Sequence, residues 1–387
     1  MGIFERLKQK LNKQQNTNYE LIINELKNYK ENYQQEVERL IGHEHFLKIE
    51  TENKILDLIK DDERVLTIQD DKGQNIGMIA ADCHLEKVVL RALDNHDASI
   101  QQNILGNNIG MVAVKFGLEE ASLKALDNPV ASLQQNDKGN NIGMLAAEER
   151  MEKVVLKALD NHEASMQQDE LGWNIGMNAA SSRLEICVMK ALDNYEASIQ
   201  QSDYGDNIGM ISAEKGLEDA VLKALDNEEL SIQVNCNGQN IGMIAADNEL
   251  ELATLKALDN KTASRQQDEL HDWNIGMFAA YNQMEEATIK ALDDAVASLQ
   301  QDEYGYNIGM HAVVSDLKDA VLVSLENYGS RIQRNAGEFN IYDLIQSRMR
   351  NYPDVYNKAM ELRDLDCVGC VPQGNEDDYD DYDEDEM

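Results

Sequence analysis

The chain has 387 residues, a formal net charge of −37 and 42% hydrophobic residues. That much apolar side chain excludes wholesale disorder. The excess of Asp and Glu excludes a sequence-independent nucleic-acid binder, which needs Lys and Arg to neutralise phosphates, and it favours cationic partners. The five scattered cysteines, Cys83, Cys187, Cys236, Cys367 and Cys370, do not read as a disulfide framework and point to a reducing compartment.

At the N-terminus, Ile3, Phe4, Leu7 and Leu11 stand against Arg6, Lys8, Lys10 and Lys13. This basic amphipathic stretch suits a cap, a partner helix or a membrane surface. It lacks the apolar core of a secretory signal, and Arg6 stands where N-myristoylation expects Ser or Thr. No apolar run reaches the roughly 18 residues of a transmembrane helix. Tyr19 to Ile41 is expected to form an amphipathic helix through Ile22, Leu26, Tyr29, Tyr33 and Leu40. With the half-repeat His45–Leu66, it would cap one end of a stack.

Next comes the repeat. Asn-Ile-Gly-Met begins at Asn75, Asn108, Asn141, Asn174, Asn207, Asn240, Asn274 and Asn307, in steps of 33 residues with a single step of 34. A degenerate copy, Asn340-Ile341-Tyr342-Asp343, follows. A period in this range signals a solenoid. In the copy Asp137–Gln168, the Asp-Lys-Gly-Asn stretch predicts a turn and Asn141 an N-cap, with a first helix beginning at Ile142. Met151, Val154, Val155, Ala158 and Leu159 give a second helix one apolar face. Asn161 is expected to close that helix as a left-handed C-cap, and His162–Gln168 to lead to the next turn. Gly143, Ala146 and Ala147 make a small face for close approach, and the repeated Met a buried stripe. The Gln pairs, such as Gln134-Gln135 and Gln167-Gln168, are placed for a hydrogen-bonded ladder between repeats, or else for a solvated loop.

Beyond the last exact copy, Asn340–Arg350 and Pro353–Asp366 read as two helices of a polar final repeat. Cys367-Val-Gly-Cys370 has no second ligand pair nearby for zinc and no βαβ context for a redox site. Glu376–Glu386 is an acidic run expected to be a disordered tail.

Chemistry is not evident. There is no Walker loop, dinucleotide fingerprint or HExxH motif, and the seven His residues are scattered. Glu86, Glu119, Glu152, Glu185, Glu218, Glu251 and Glu285 recur at the start of second helices, where the helix dipole favours them. Neither catalytic residues, a metal nor a cofactor is expected.

The stretch Asp-Lys-Gly-Asn-Asn-Ile-Gly-Met-Leu-Ala-Ala, from Asp137 to Ala147, resembles the ankyrin repeat motif D-x-x-G-x-T-P-L-H-x-A-A. Asn141 takes the place of the capping Thr, Met144 that of the His, and Ala146-Ala147 match the Ala pair. Ile142 replaces the Pro and Gly143 a core Leu. The resemblance covers about residues 45 to 366. It implies an all-α, helical-hairpin solenoid of about eight to nine ankyrin-like repeats with β-turn fingers. The expected domains are an N-terminal helical cap at 1–42, repeats at 43–366 and the acidic tail at 367–387.

Such a frame carries function where copies differ. The residue before the capping Asn reads Gln74, Asn107, Asn140, Trp173, Asp206, Gln239, Trp273, Tyr306 and Phe339, so both tryptophans occupy one slot. The resemblance places that slot beside the fingers on a concave face, with Tyr204 and Tyr304 on finger tips and Tyr281 facing the same groove. Trp173, Tyr204, Trp273, Tyr281, Tyr304, Tyr306 and Phe339 are therefore the expected partner-binding residues. His271-Asp272 adds a residue and removes the turn Gly before Trp273, which is expected to re-aim that finger. The expected function is a non-enzymatic scaffold for a protein partner with a basic surface. The alternative is a membrane-associated regulator, or a secreted bacterial effector, tethered by the basic N-terminal helix. The expected location is the cytoplasm, that of a host cell in the effector case.

Overall fold

The structure, a computed structural model, describes residues 17–30, 43–350 and 352–368. The basic stretch before residue 14, Tyr33, Leu40, the Cys370 end of the CxxC motif and the acidic run lie outside these residues. All regular structure among the described residues is helical. None of these helices is long and apolar enough to cross a membrane. The chain divides into two compact units, Met1–Cys236 and Asn237–Met387.

A single repeat explains how each unit is built. Asn141 adopts an extended conformation and caps the helix Ile142–Glu148. Its Oδ1 accepts from the Met144 N–H at 3.0 Å. Its Nδ2 donates to the Ala164 carbonyl and to Gln167 Oε1, both at 2.9 Å. The slot therefore needs a side chain that accepts and donates at once, which an amide does and a hydroxyl with a single proton does less completely. Arg150, at φ +58°, closes this helix. The Arg150 N–H reaches the Ala147 carbonyl and the Met151 N–H the Ala146 carbonyl, the Schellman pattern. Glu152–Ala158 follows as the second helix.

The expected left-handed C-cap at Asn161 is not what forms. Asn161 is extended, at φ −92° and ψ 107°, and its Oδ1 accepts from the Ala164 N–H. It starts a third short helix, His162–Met166, in the stretch read from sequence as a connector. The repeat thus carries two asparagine N-caps, one on each side of a helical hairpin. Asn is a favoured N-cap and also a tolerated left-handed C-cap, so the residue alone leaves both readings open, and its extended backbone and the hydrogen bond to Ala164 separate them.

In the first unit, the helices Ile76–Asp82, Ile109–Lys115, Ile142–Glu148, Ile175–Ser181 and Ile208–Glu214 contact one another in succession, as do the second helices behind them. The second unit repeats this with Ile241–Asp247, Ile275–Tyr281, Ile308–Val314 and Ile341–Arg348. Gly143 shows why the first helices can approach. A Cβ there would sit 2.5 Å from Ile175 Cδ1 of the next repeat and 2.7 Å from Ala158 Cβ of its own second helix. Within each unit the Ile of one motif fills the space left by the Gly of the motif before it, as Ile142 does at Gly110 and Ile308 at Gly276. The methionine stripe is buried core, as expected.

Polar rungs join the same repeats. Gln134 Nε2 donates to the Ile100 carbonyl of the previous repeat at 2.6 Å while its Oε1 accepts from Asn108. Gln102 Nε2 donates to the Gln135 carbonyl of the following repeat at 3.0 Å. The glutamine ladder exists, but it runs from amide to backbone, not from amide to amide. A second rung uses the Lys-Ala-Leu-Asp stretch: Lys157 Nζ donates to the Leu123 carbonyl at 2.8 Å and pairs with Asp127 at 2.6 Å. Lys190 repeats this with Leu156 and Asp160, and Lys223 with Met189 and Asp193.

The ends are closed by motif breakdown. Residues 17–30 are helical, and Ile22, Leu26 and Tyr29 join a core with Ile55, Ile59, Leu66 and Ile76. The half-repeat is one long helix, His43–Asp61, followed by a 3-10 turn, Glu63–Thr67. At the other end Tyr342 replaces the motif glycine and is fully buried. Its hydroxyl donates to Asp366, which also pairs with Arg331 at 2.9 Å. Asp366 belongs to the last helix, Pro353–Val368, which starts at Pro353 as expected.

Candidate functional site

Each finger is built on one side chain. Asp302 Oδ1 accepts the N–H groups of Tyr304 and Tyr306 at 2.9 and 2.7 Å, and Gly305 completes the turn at φ +78°. Asn136, Asp169 and Asn335 do the same in their fingers. This is the Asx geometry, a short polar side chain replacing a backbone acceptor. Neighbouring fingers are then joined backbone to backbone. Asp137, Glu170 and Asp203 donate to Leu105, Lys138 and Leu171 in the first unit. Glu269, Glu303 and Ala336 donate to Asn237, His271 and Tyr304 in the second. The fingers fix where the slot before each capping Asn points.

In the second unit that slot holds Trp273, and four rings gather round it. Trp273 lies 5.2 Å from Phe278, from Tyr281 and from His271, and 5.0 Å from His311, centroid to centroid. Tyr306 joins through His311 at 5.7 Å. Phe278 and His311 are buried, Trp273 and Tyr306 half-buried, and Tyr281 60% exposed. The inserted residue has a clear effect: Trp273 N donates to Asp268 Oδ1 across five residues, and Asp272 takes the left-handed φ of +58° in place of the missing glycine.

Two carboxylates support the cluster from beneath. Asp268 Oδ2 faces His271 Nδ1 at 3.2 Å, and Asp302 Oδ2 faces His311 Nε2 at 3.0 Å. Burial would raise the Asp302 pKa. Hydrogen bonds from His311 and from the Tyr306 and Tyr304 N–H groups outweigh it and hold the carboxyl below its ordinary range.

Of the seven residues singled out from sequence, the structure brings Trp273, Tyr281 and Tyr306 into this one cluster. Tyr304 and Phe339 belong to the same unit as exposed side chains outside these ring contacts, at 60% and 53% exposure. Trp173, half-buried, and Tyr204, exposed, belong to the first unit. Sequence reasoning missed Phe278, His311, Asp268 and Asp302. The available signal was the slot after the motif Met, which holds Ile79, Val112, Leu145, Asn178, Ile211, Ile244, Phe278 and His311. Its two ring-bearing copies fall in adjacent repeats, next to Trp273.

The equivalent face of the first unit is acidic. Burial raises the pKa of Glu148 and of Glu214, with Asp169 and Asp206 adding to the effect. The Cys83 and Cys187 thiols are buried, which pushes them up to about 11 and about 12 and leaves both protonated at neutral pH. Among the described residues, no group of three His, Cys, Asp or Glu side chains is placed to hold a metal ion. The chain matches no protein-family model and no curated protein sequence.

Proposed function

We propose that this chain is a non-enzymatic, ankyrin-like repeat scaffold of about eight to nine repeats that binds a protein partner with a basic surface. The ankyrin-like reading is supported by the 33-residue spacing, by the Asn cap standing where that family has Thr, and by fingers joined backbone to backbone. The partner-binding reading rests above all on one observation. Trp273, on a finger rich in Asp and Glu, packs against an exposed Tyr281. Exposed aromatic side chains fixed by a packed support lose little entropy on binding, which is why they serve as interface anchors. The net charge of −37 steers a cationic partner toward them.

Trp273 and Tyr306 are half-buried, so their truncation mixes stability with binding. Tyr281, Tyr304 and Phe339 are exposed and make the cleaner probes. A photo-crosslinking residue at 281 or 304 should trap the same protein that the full chain captures. Tyr281→Ala and Tyr304→Ala should reduce that capture with the thermal midpoint unchanged. A partner footprint that avoids these positions would remove the site assignment.

A further inference from the structure

Resting on the scaffold reading, we infer that the Trp273–Tyr281 platform receives an arginine side chain of the partner, its guanidinium laid over the rings and paired with finger carboxylates. Ring spacing decides the form of the ligand. Trp273 and Tyr281 are in direct contact at 5.2 Å with planes tilted by 52°. They leave no slot between them for the rounded head of a methylated ammonium. The exposed Tyr281 ring, backed by Trp273, offers a face on which a planar guanidinium stacks better than an ammonium does.

Charge sets the same choice. Glu269 and Asp272 lie on the finger that carries Trp273, and Glu303 N donates to the His271 carbonyl of that finger at 3.3 Å. All three residues are exposed, and none of their carboxylates makes an ion pair among the described residues. Asp268 and Asp302, by contrast, are buried and satisfied by His271, His311 and backbone N–H groups. From Asp268 to Tyr306 the only Lys or Arg is Lys290, and it is already held by the Leu255 carbonyl and Asp259. The stretch thus combines aromatic faces with carboxylates that no Lys or Arg among the described residues pairs. Arginine supplies the missing charge and donates to a carboxylate bidentately.

The chain's two tryptophans give a direct readout. In full-length protein carrying Trp173→Phe, the remaining indole fluorescence reports Trp273. Titration with the octapeptide (Gly-Arg)4 should quench or shift that emission. (Gly-Lys)4 should bind about tenfold more weakly, and the citrulline analogue, which keeps the shape and loses the charge, should give no saturable change. Tyr281→Ala and the triple variant Glu269→Gln, Asp272→Asn, Glu303→Gln should each weaken the arginine peptide with the thermal midpoint retained. Equal binding of arginine and citrulline peptides, or no response to either, would overturn the guanidinium assignment. A natural partner that depends on Tyr281 yet contributes no arginine there would also overturn it, while leaving the scaffold reading in place. A partner insensitive to Tyr281, Tyr304 and Phe339 would instead remove the partner-site assignment on which this inference rests.

Discussion

His311 Nε2 lies 3.0 Å from Asp302 Oδ2, a buried pair nine residues apart that ties a first helix to its own finger directly beneath Trp273. The lowered Asp302 pKa gives this pair a definite pH signature. A carboxyl depressed in the folded state contributes stability that is fully present above its unfolded value, roughly 3.9, and is lost as pH falls through the folded value. Asp302→Asn should therefore flatten the loss of thermal midpoint below about pH 4. An unchanged acid slope would show that the pair does not contribute.

Asn141 accepts from Met144 and donates to Ala164 and Gln167. Substituting the residue expected from the ankyrin motif, Asn141→Thr, keeps the cap and leaves the Gln167 amide oxygen short of its donor. We expect a loss of about 1–3 kcal/mol in urea unfolding, although Thr is itself a competent N-cap. A neutral result would mean the second amide function is dispensable.

Gly143→Ala separates propensity from packing. Helix propensity alone favours alanine by about 1 kcal/mol. The new Cβ would collide with Ile175 Cδ1 and Ala158 Cβ, so the net effect should be a destabilisation of about 1–3 kcal/mol. Pairing it with Ile175→Val should recover part of the loss in a double-mutant cycle. If Gly143→Ala stabilises the protein, the stacking account is wrong.

Lys157 holds the Leu123 carbonyl and Asp127 of the preceding repeat. Lys157→Met keeps the stem and removes both contacts, for an expected cost of about 1 kcal/mol. Asp127→Asn should cost less, because the carbonyl contact survives. Denaturant midpoints at low and high salt would separate the two contributions.

Arg150 sits at φ +58°, a conformation that Gly117 and Gly216 occupy in their own repeats. Arg150→Gly should stabilise the chain by about 1 kcal/mol, since the side chain loses its clash with the following carbonyl. No change in thermal midpoint would show that Arg150 makes a compensating contact.

The sequence by itself determined the period, the first cap, the two main helices and the slots where copies diverge. These follow from local rules: a side-chain acceptor before a helix, apolar spacing at three and four residues, and turn residues at fixed offsets. It also placed Trp273, Tyr281 and Tyr306 in the right neighbourhood, because a regular frame turns position in a repeat into position in space. Only tertiary structure decided that Asn161 starts a helix and does not end one, that Tyr342 fills the space of a missing neighbour, and that Phe278, His311, Asp268 and Asp302 assemble around Trp273. The Tyr342, Phe278 and His311 outcomes depend on groups brought in by another helix or finger, and Asn161 is also tied to the previous repeat, its Nδ2 donating to Ser132 Oγ at 3.2 Å, none of which a local pattern encodes.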